Sequence, residues 1–314
     1  MLLRTIESRV FRPAACTKRL RMDEGIPTGL TTGLMITTRN RAAELQRTCE
    51  ALRRLNPAPV EILITADACS DATVDVVKSI LPQARIFVNE NPQGSIASRD
   101  RMIRESTAEL VLSLDDDSYP EQIDCIASFT PLFEQNQRLA VLHFPQRSDE
   151  FPESLSQNHS GGLQPTRSFP SSGAVLRRSA YLELSGFETA FFHAYEEPDY
   201  ALRCVAAGYQ VMMWPGVTVR HHYSQHERNE ISIHHRHARN ELWSIVMRCP
   251  FPQMIALILW RAVRQLRYAA RRGWDWVWRE PVWWFQAIRG LPAAFRHRHP
   301  LCWSAYRSWL SLPG

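Results

Sequence analysis

The sequence predicts an α/β fold, a mainly parallel sheet with flanking helices, followed by a C-terminal helical region. Three observations carry that expectation. Short apolar runs alternate with amphipathic stretches in four successive units between residues 33 and 133. Each apolar run ends in a polar loop. Beyond residue 225 such runs give way to helical stretches rich in Arg, His and Trp. The boundaries this suggests are an N-terminal extension over 1–30, a main domain over 31–224, and a basic, Trp-rich helical region over 225–314.

GLMITT (33–38) reads as a strand, and RAAELQRTCEALRRL after it sets Ala42, Leu45, Cys49 and Leu52 at helical spacing. VEILITA (60–66) and DATVDVVKSIL (71–81) repeat the pattern. So do ARIFVN (84–89) with SIASRDRMIRES (95–106), and ELVLSLD (109–115) with PEQIDCIASFTPLF (120–133). Tandem strand-helix units favour parallel pairing, with helices covering the sheet. In such sheets ligands sit beyond the carboxyl ends of the strands. This marks the loops 37–41, 66–73, 89–95 and 115–120 as functional before any motif is consulted.

LAVLHFP (139–145) is a further strand-like run. The stretch 146–173 that follows is too polar and too rich in Pro and Gly for packed regular structure, and is expected to be a mobile or acceptor-facing loop. FFHAYEEPDYALRCVAAGY contains a helical face (Leu202, Val205, Ala206) closed by Gly208, and VMMWPGVTVRHHYS reads as one or two strands.

Composition narrows the class. Hydrophobic residues make up 45% and charged residues 22% of 314, which suits a packed globular chain rather than a disordered one. The seven cysteines form no CxxC pair, which argues against a zinc ribbon or a disulfide framework and for a reducing cytoplasm. The first 25 residues lack the apolar core of a secretory signal. Elsewhere the longest uncharged apolar stretch, 249–260, is well short of the ~20 residues that span a bilayer.

LVLSLDDDSYP (110–120) places three carboxylates at the mouth of the sheet. One reading is a set of solvated or helix-capping acids. The other is a cation site, because adjacent carboxylates repel unless a cation joins them, and oxygen ligands suit Mg²⁺ or Mn²⁺. The loop is no EF-hand, since Pro120 and Ile126 stand where Gly and Glu are required. Walker A and GxGxxG loops are absent.

LMITTRNR, ILITADACSDAT, NPQGSIASRDRMI, LVLSLDDDSYP, SGFETAFFHAYEEPDYALRCVAAGY and VTVRHH, in that order over about residues 31–224, resemble the blocks of the family 2 glycosyltransferases with the GT-A fold. The likeness is to the inverting, bacterial rhamnosyltransferase-like enzymes of polysaccharide synthesis. It implies a metal-dependent hexosyl- or deoxyhexosyltransferase that moves sugar from a nucleotide-sugar donor to an acceptor hydroxyl on a glycan or lipid-linked intermediate.

Residue by residue, the resemblance implies that the D-x-D element falls on Asp115, Asp116 and Asp117. Asp117 would be the direct ligand of a divalent cation (Mn or Mg), and Asp115 would lie nearer the ribose or a metal-bound water. His221, ahead of His222, would complete the metal set. Thr37, Thr38 and Arg39 would wrap the nucleoside, Asp67 would meet the base edge, and Arg99 would approach the diphosphate or the acidic loop. Asp71 reads as a helix N-cap. The general base falls on Glu197, where aspartate is commoner, with Glu196 and Asp199 as alternatives. Ala68-Cys69 and Asp100 depart from the family's usual residues.

Two other classes share such acids: a non-catalytic sugar-nucleotide or carbohydrate-binding protein on the same fold, and a nucleotidyltransferase. The latter normally needs a Gly-rich loop after the first strand, and TTRNRAAEL has no glycine.

In the tail, Trp274, Trp276, Trp278, Trp283 and Trp284 lie among arginines, and from 251 onward ten arginines face only Asp275 and Glu280. Two readings stay open, a peripheral membrane contact at the inner face of the cell membrane and a helical cap on the catalytic domain. Nucleic acid is not an expected partner, because an acid-lined site is the wrong charge for a phosphate backbone.

Overall fold

The computed structural model describes residues 29–157, 161–223 and 229–314. The expected N-terminal extension lies outside the described residues except for Gly29 and Leu30. The elements in chain order are β1 (Thr32–Thr38), α1 (Ala42–Leu52), β2 (Glu61–Asp67), α2 (Thr73–Ile80), β3 (Arg85–Asn89), α3 (Ser95–Glu105) and β4 (Leu110–Asp115). Then come β5 (Ser118–Pro120), α4 (Cys125–Gln135), β6 (Leu139–His143), β7 (Gln146–Arg147), the single turn α5 (Pro152–Leu155), β8 (Gln164–Pro165), β9 (Gly173–Arg177) and α6 (Arg178–Glu183). A 3-10 turn (Thr189–Phe191) leads to α7 (Glu196–Ala206), β10 (Gln210–Met213) and β11 (Val219–His221). The chain ends with α8 (Glu230–Arg248), α9 (Gln253–Arg272), α10 (Trp274–Arg296) and α11 (Trp303–Leu310).

The main sheet runs β3-β2-β1-β4-β9-β6-β10-β8. Strands β1 to β4 are mutually parallel, as the repeated strand-helix units predict, and β10 is parallel to β6. Its core strands are apolar on both faces, and their alternation divides the interior in two. Leu34 and Ile36 of β1, Leu112 and Leu114 of β4, and Val175 of β9 pack with Leu45, Val77 and Phe129 on the α1, α2 and α4 side. Met35, Val111, Ala174 and Leu176 face the other way, against Met102, Tyr181 and Tyr200. That second cluster also contains Ile245, Val246 and Met247 of α8 and Tyr306 and Trp309 of α11, so the C-terminal helices share the core of the sheet.

Three expectations from the sequence are corrected. Gly173–Arg177 is a fully buried strand, antiparallel to both β4 and β6 in the middle of the sheet, where the sequence suggested the edge of a loop. Its five residues are too few for a periodic signal, and Pro170-Ser171-Ser172 mask its start. Helix α4 begins at Cys125 rather than Pro120, because Ser118–Pro120 pairs with Val219–His221 in a second, three-stranded sheet, β5-β11-β7. The stretch 146–173 carries short pieces of its own, β7, α5 and β8.

Candidate active site

The small sheet assembles the metal-ligand candidates. β4 ends at Asp115, the chain turns through Asp116 and Asp117, and β5 begins at Ser118, whose register partner on β11 is His221. The neighbouring backbone N–H of His222 donates to the carbonyl of Asp117 at 2.9 Å. Consequently His221 Nε2 stands 3.1 Å from Asp117 Oδ1, while Nδ1 lies 3.0 Å from Gln146 Oε1 on β7. One ligand atom each from Asp115, Asp117 and His221 fits within 4.8 Å of the others. Asp117 Oδ1 is buried and makes no well-directed hydrogen bond. Two carboxylates and an imidazole gathered around a buried carboxylate oxygen are a donor set that fits a divalent cation.

Asp116 and Asp117 are buried, at 4% and 1% exposure, so their charges need partners. Arg41 supplies them, donating to Asp116 Oδ1 at 2.8 Å and to Asp117 Oδ2 at 2.6 Å. Burial pushes the Asp116 carboxyl up to about 7 against the pull of Arg41. For Asp117 burial acts the same way, but His221 and Arg41 together outweigh it and the net shift is downward. Asp116 therefore belongs to the Arg41 clamp, and its carbonyl accepts from the Thr48 hydroxyl at 2.8 Å.

Arg41 escaped the sequence reading, which named Arg39 for the nucleoside and Arg99 for the acidic loop. Asn40 has φ 52°, a left-handed conformation that asparagine tolerates. The turn leaves Arg39 exposed and brings Arg41 to the start of α1, against the acidic loop. The remaining loops meet here. Ser70 N–H donates to Asn40 Oδ1 at 2.7 Å, and Asp71 accepts from the N–H groups of Ala42 and Thr73, which ties the starts of α1 and α2 together, although the N-cap of α2 is Ala72 rather than the expected Asp71. Thr37 stands beside Asp115 in the β1–β4 register, and Thr38 is buried. For Asp67 the resemblance implies a base-edge contact. The structure occupies both of its oxygens with Asn89 Nδ2 (2.8 Å), Gln93 N–H (2.8 Å) and Gly94 N–H (2.9 Å), so the carboxylate shapes the loop after β3.

Arg99 joins the two halves of the site. Buried on α3, it ion-pairs with Asp115 and lies 3.8 Å from Glu196 Oε1. Glu196 and Glu197 open α7, where the helix dipole favours negative charge. Glu196 is almost wholly buried and Glu197 half-buried, and Glu197 Oε1 accepts from Ser171 N–H at 3.4 Å. Burial raises both carboxyls and outweighs the opposing charge of Arg99; Glu197 pushes Glu196 further up.

Asp199, the third candidate, has a different role. It is fully buried and bonded to Arg203 (3.0 Å), to Ser244 (2.8 Å) and to Arg248 (3.2 Å). Burial raises its carboxyl, but Arg203, Arg248 and Ser244 together hold it below its ordinary range. A carboxylate so fully bonded anchors α7 to α8 and has no free oxygen with which to take a proton.

The approach to α7 is strained. Phe192, Ala194 and Tyr195 have φ of 66°, 71° and 74°, each unfavourable for a side-chain-bearing residue. Asn240 of α8 holds this shape by donating to the carbonyls of Phe191, His193 and Ala194 at 3.1, 2.9 and 2.8 Å. Asn240, Ser244 and Arg248 recur every four residues and so share one face of α8. That spacing was legible in the sequence, but nothing there named its partner.

In comparison with known proteins, the family described as "Glycosyl transferase family 2" matches residues 34–197. None of the curated proteins matches the chain. Among solved structures, the chain resembles a mannosyltransferase from Pyrobaculum calidifontis in complex with GDP-Man and Mn2+, with TM-score 0.57, 17% identity, 90% of this chain and 85% of that one covered. It resembles S. aureus TarS 1-349 in complex with UDP-GlcNAc, with TM-score 0.59 and 12% identity over 85% and 82% of the two chains. It also resembles GalNAc-T7 with UDP, GalNAc and Mn2+, with TM-score 0.60 and 12% identity over 78% of this chain; there it spans only about half of the other chain (51%). These likenesses agree on a GT-A sheet with flanking helices. The sequence match over residues 34–197, more than half of the chain, establishes that the chain belongs to glycosyltransferase family 2.

Proposed function

We propose that the chain is a metal-dependent, inverting glycosyltransferase that moves a hexosyl or deoxyhexosyl group from a nucleotide-sugar donor to an acceptor hydroxyl, in the synthesis of a surface polysaccharide or glycolipid. The observation that carries this reading is the bridge by Arg99 between Asp115 of the cation set and Glu196 beside Glu197. A divalent cation held by Asp115, Asp117 and His221 would neutralise charge developing on the leaving diphosphate. The nucleotide-sugar and Mn2+ complexes of the similar structures support the same reading.

The chain's own residues account for the rest. Glu197, the more open of the two glutamates, takes the proton of the acceptor hydroxyl, and buried Glu196 holds Arg99 in place. One base with no second nucleophile supports attack from the face opposite the diphosphate, and hence inversion. Thr37 and Thr38 line the donor side, and Asp67 and Arg41 shape it. Measured donor hydrolysis and transfer, with Mn2+ and with chelator, test the reading; a non-catalytic binding protein would show neither activity.

Membrane contact is part of the proposal. No helix among the described residues is long and apolar enough to cross a bilayer. The five tail tryptophans divide by role. Trp283 is buried and donates to Glu280 at 2.8 Å, as a packed cap requires, whereas Trp274 and Trp278 are each 70% exposed. With Phe285, Ile288 and Phe295 the latter form an exposed stripe on α10, and Ile255, Leu259 and Val263 on α9 are exposed as well. Apolar and aromatic side chains among arginines suit the interface of an anionic bilayer.

A further inference from the structure

A groove of about 460 Å³ runs between α8 and α10 and ends at the loop that leads into α7. Phe192, Ile231 and Val282 form its apolar part, and its polar part includes Arg236, Arg239, Arg279 and His235. The walls are fixed by bonds between the helices: Trp243 Nε1–H donates to the carbonyl of Ala287 at 2.9 Å, and His234 Nε2 lies 2.7 Å from Glu280 Oε1.

The groove gathers three arginines that lack a carboxylate partner among the described residues, whereas several arginines elsewhere on the C-terminal helices have one. Arg261 and Arg264 rest on Glu241, Arg272 on Glu230, and Arg248 on Asp199 and Glu188. Among the described residues, Arg236, Arg239 and Arg279 have no carboxylate within ion-pair distance. Arg239 bonds only neutral groups, the side-chain oxygen of Asn240 at 3.0 Å and the carbonyl of Phe191 at 3.1 Å, while its guanidinium stacks on Trp243. Arg236 lies over the ring of Phe192. Three guanidinium groups converging on one groove without a counter-charge repel one another, and an anion relieves that repulsion.

The groove also borders the segment that leads into the candidate active site. Its rim residue Phe192 is packed so closely on Gly94, beside the loop that Asp67 shapes, that a Cβ at Gly94 would lie 2.4 Å from the Phe192 carbonyl oxygen. Arg239 and Asn240 both bond the carbonyl of Phe191, on the segment that leads to Glu196 and Glu197. On the outer side, Trp278 and Phe285 of the exposed α10 stripe are chain neighbours of the lining residues Arg279 and Gln286.

We propose that this groove is the acceptor subsite and that it takes an amphiphilic acceptor carrying a phosphate. The phosphate lies among Arg236, Arg239 and Arg279, and the apolar chain leaves past Val282 toward the exposed face of α10. This deepens the glycosyl-transfer reading and rests on it for the word acceptor, but the binding chemistry stands by itself.

The test is calorimetric titration of the full chain, with chelator present so that no cation draws phosphate to the acidic loop. The probes are decyl phosphate, uncharged decyl glucoside and inorganic phosphate. The proteins are wild type, Arg236→Gln/Arg279→Gln, and Asp117→Asn as a donor-side control; both arginines are solvent-accessible, and melting curves check each fold. Decyl phosphate is expected to bind wild type and Asp117→Asn alike, and to bind the double variant about tenfold or more weakly, as loss of charge-assisted bonds predicts. Decyl glucoside and inorganic phosphate should each bind more weakly than decyl phosphate. Equal binding by the double variant, or decyl glucoside binding as tightly as decyl phosphate, overturns the phosphate site. Inorganic phosphate binding as tightly as decyl phosphate overturns its assignment to an amphiphile. Because the readout is binding, absence of sugar transfer would defeat the proposed function and leave this result standing.

Discussion

His221 Nε2 faces Asp117 Oδ1 across 3.1 Å, although the two residues come from β11 and from the end of β4. The small sheet that brings them together is built from strands of only two or three residues each. With Asp115 it gathers a candidate cation site beside a pair of glutamates whose protons are held more tightly than usual.

Arg41 is the cation already built into that site. Arg41→Gln should destabilise the chelator-treated protein, toward the low end of the roughly 3–5 kcal/mol typical of breaking a buried pair, because Asp116 and Asp117 lose their partner. Added Mn2+ should then raise the melting temperature more in the variant than in wild type. Denaturant unfolding and thermal melting, each with and without Mn2+, check both parts; unchanged stability would contradict the clamp.

Glu197→Gln and Asp199→Asn should fail in different ways. The first is expected to fold normally and bind donor, but to lose about 10²- to 10⁴-fold in kcat. The second should unfold more easily, by about 3–5 kcal/mol, because Arg203 and Arg248 are left with an uncharged partner in the interior. A stable, inactive Asp199→Asn beside an active Glu197→Gln would reverse the assignment.

Acid should inhibit transfer earlier than an ordinary glutamate predicts. A base works ionised, and burial raises Glu196 and Glu197, so kcat should fall as pH drops through a value above the usual ~4.3. Linkage gives the stability signs. The raised pair favours the folded state below its unfolded pKa, and that contribution is lost as pH rises through the folded value. Depressed Asp199 does the reverse, contributing above its unfolded pKa and losing that contribution as pH falls through its folded one. A kcat–pH profile whose acid limb lies at the ordinary glutamate value would count against a buried base.

Replacing Trp274, Trp278 and Phe285 together by serine should abolish co-flotation with anionic vesicles while leaving the melting temperature nearly unchanged, since all three side chains are exposed. Raised salt should weaken wild-type flotation, each Arg near the surface contributing about 1 kcal/mol at low ionic strength. Flotation of the triple variant at the wild-type level would remove the α10 stripe from the proposal.

Much of the parallel half was legible because its signals are local. Leu34, Met35 and Ile36 read as a buried strand, and Leu45, Cys49 and Leu52 as one helix face, without knowledge of the rest of the chain. The acidic triplet and Glu196-Glu197 stood out as polar residues at element ends. What was hidden depends on pairing across long separations. β9 is too short to show a period, and β5 is visible only through its register with β11. Arg41 differs from Arg39 only through the turn at Asn40. Asp199 reads in sequence like its neighbour Glu197, and only the arrival of Ser244 and Arg248 from α8 makes one an anchor and leaves the other open.

The central claim is that Asp115, Asp117 and His221 hold the cation on which donor cleavage depends. Calorimetric titration of Mn2+ into the chelator-stripped protein, repeated on folded Asp117→Asn and His221→Ala, tests it most directly. The account predicts a saturable site in wild type, and weakening in each variant by at least the order of 10- to 100-fold that loss of even an outer partner costs, with donor hydrolysis lost in step. Unaltered Mn2+ affinity in both variants, or donor hydrolysis at the wild-type rate in the stripped protein, would contradict it.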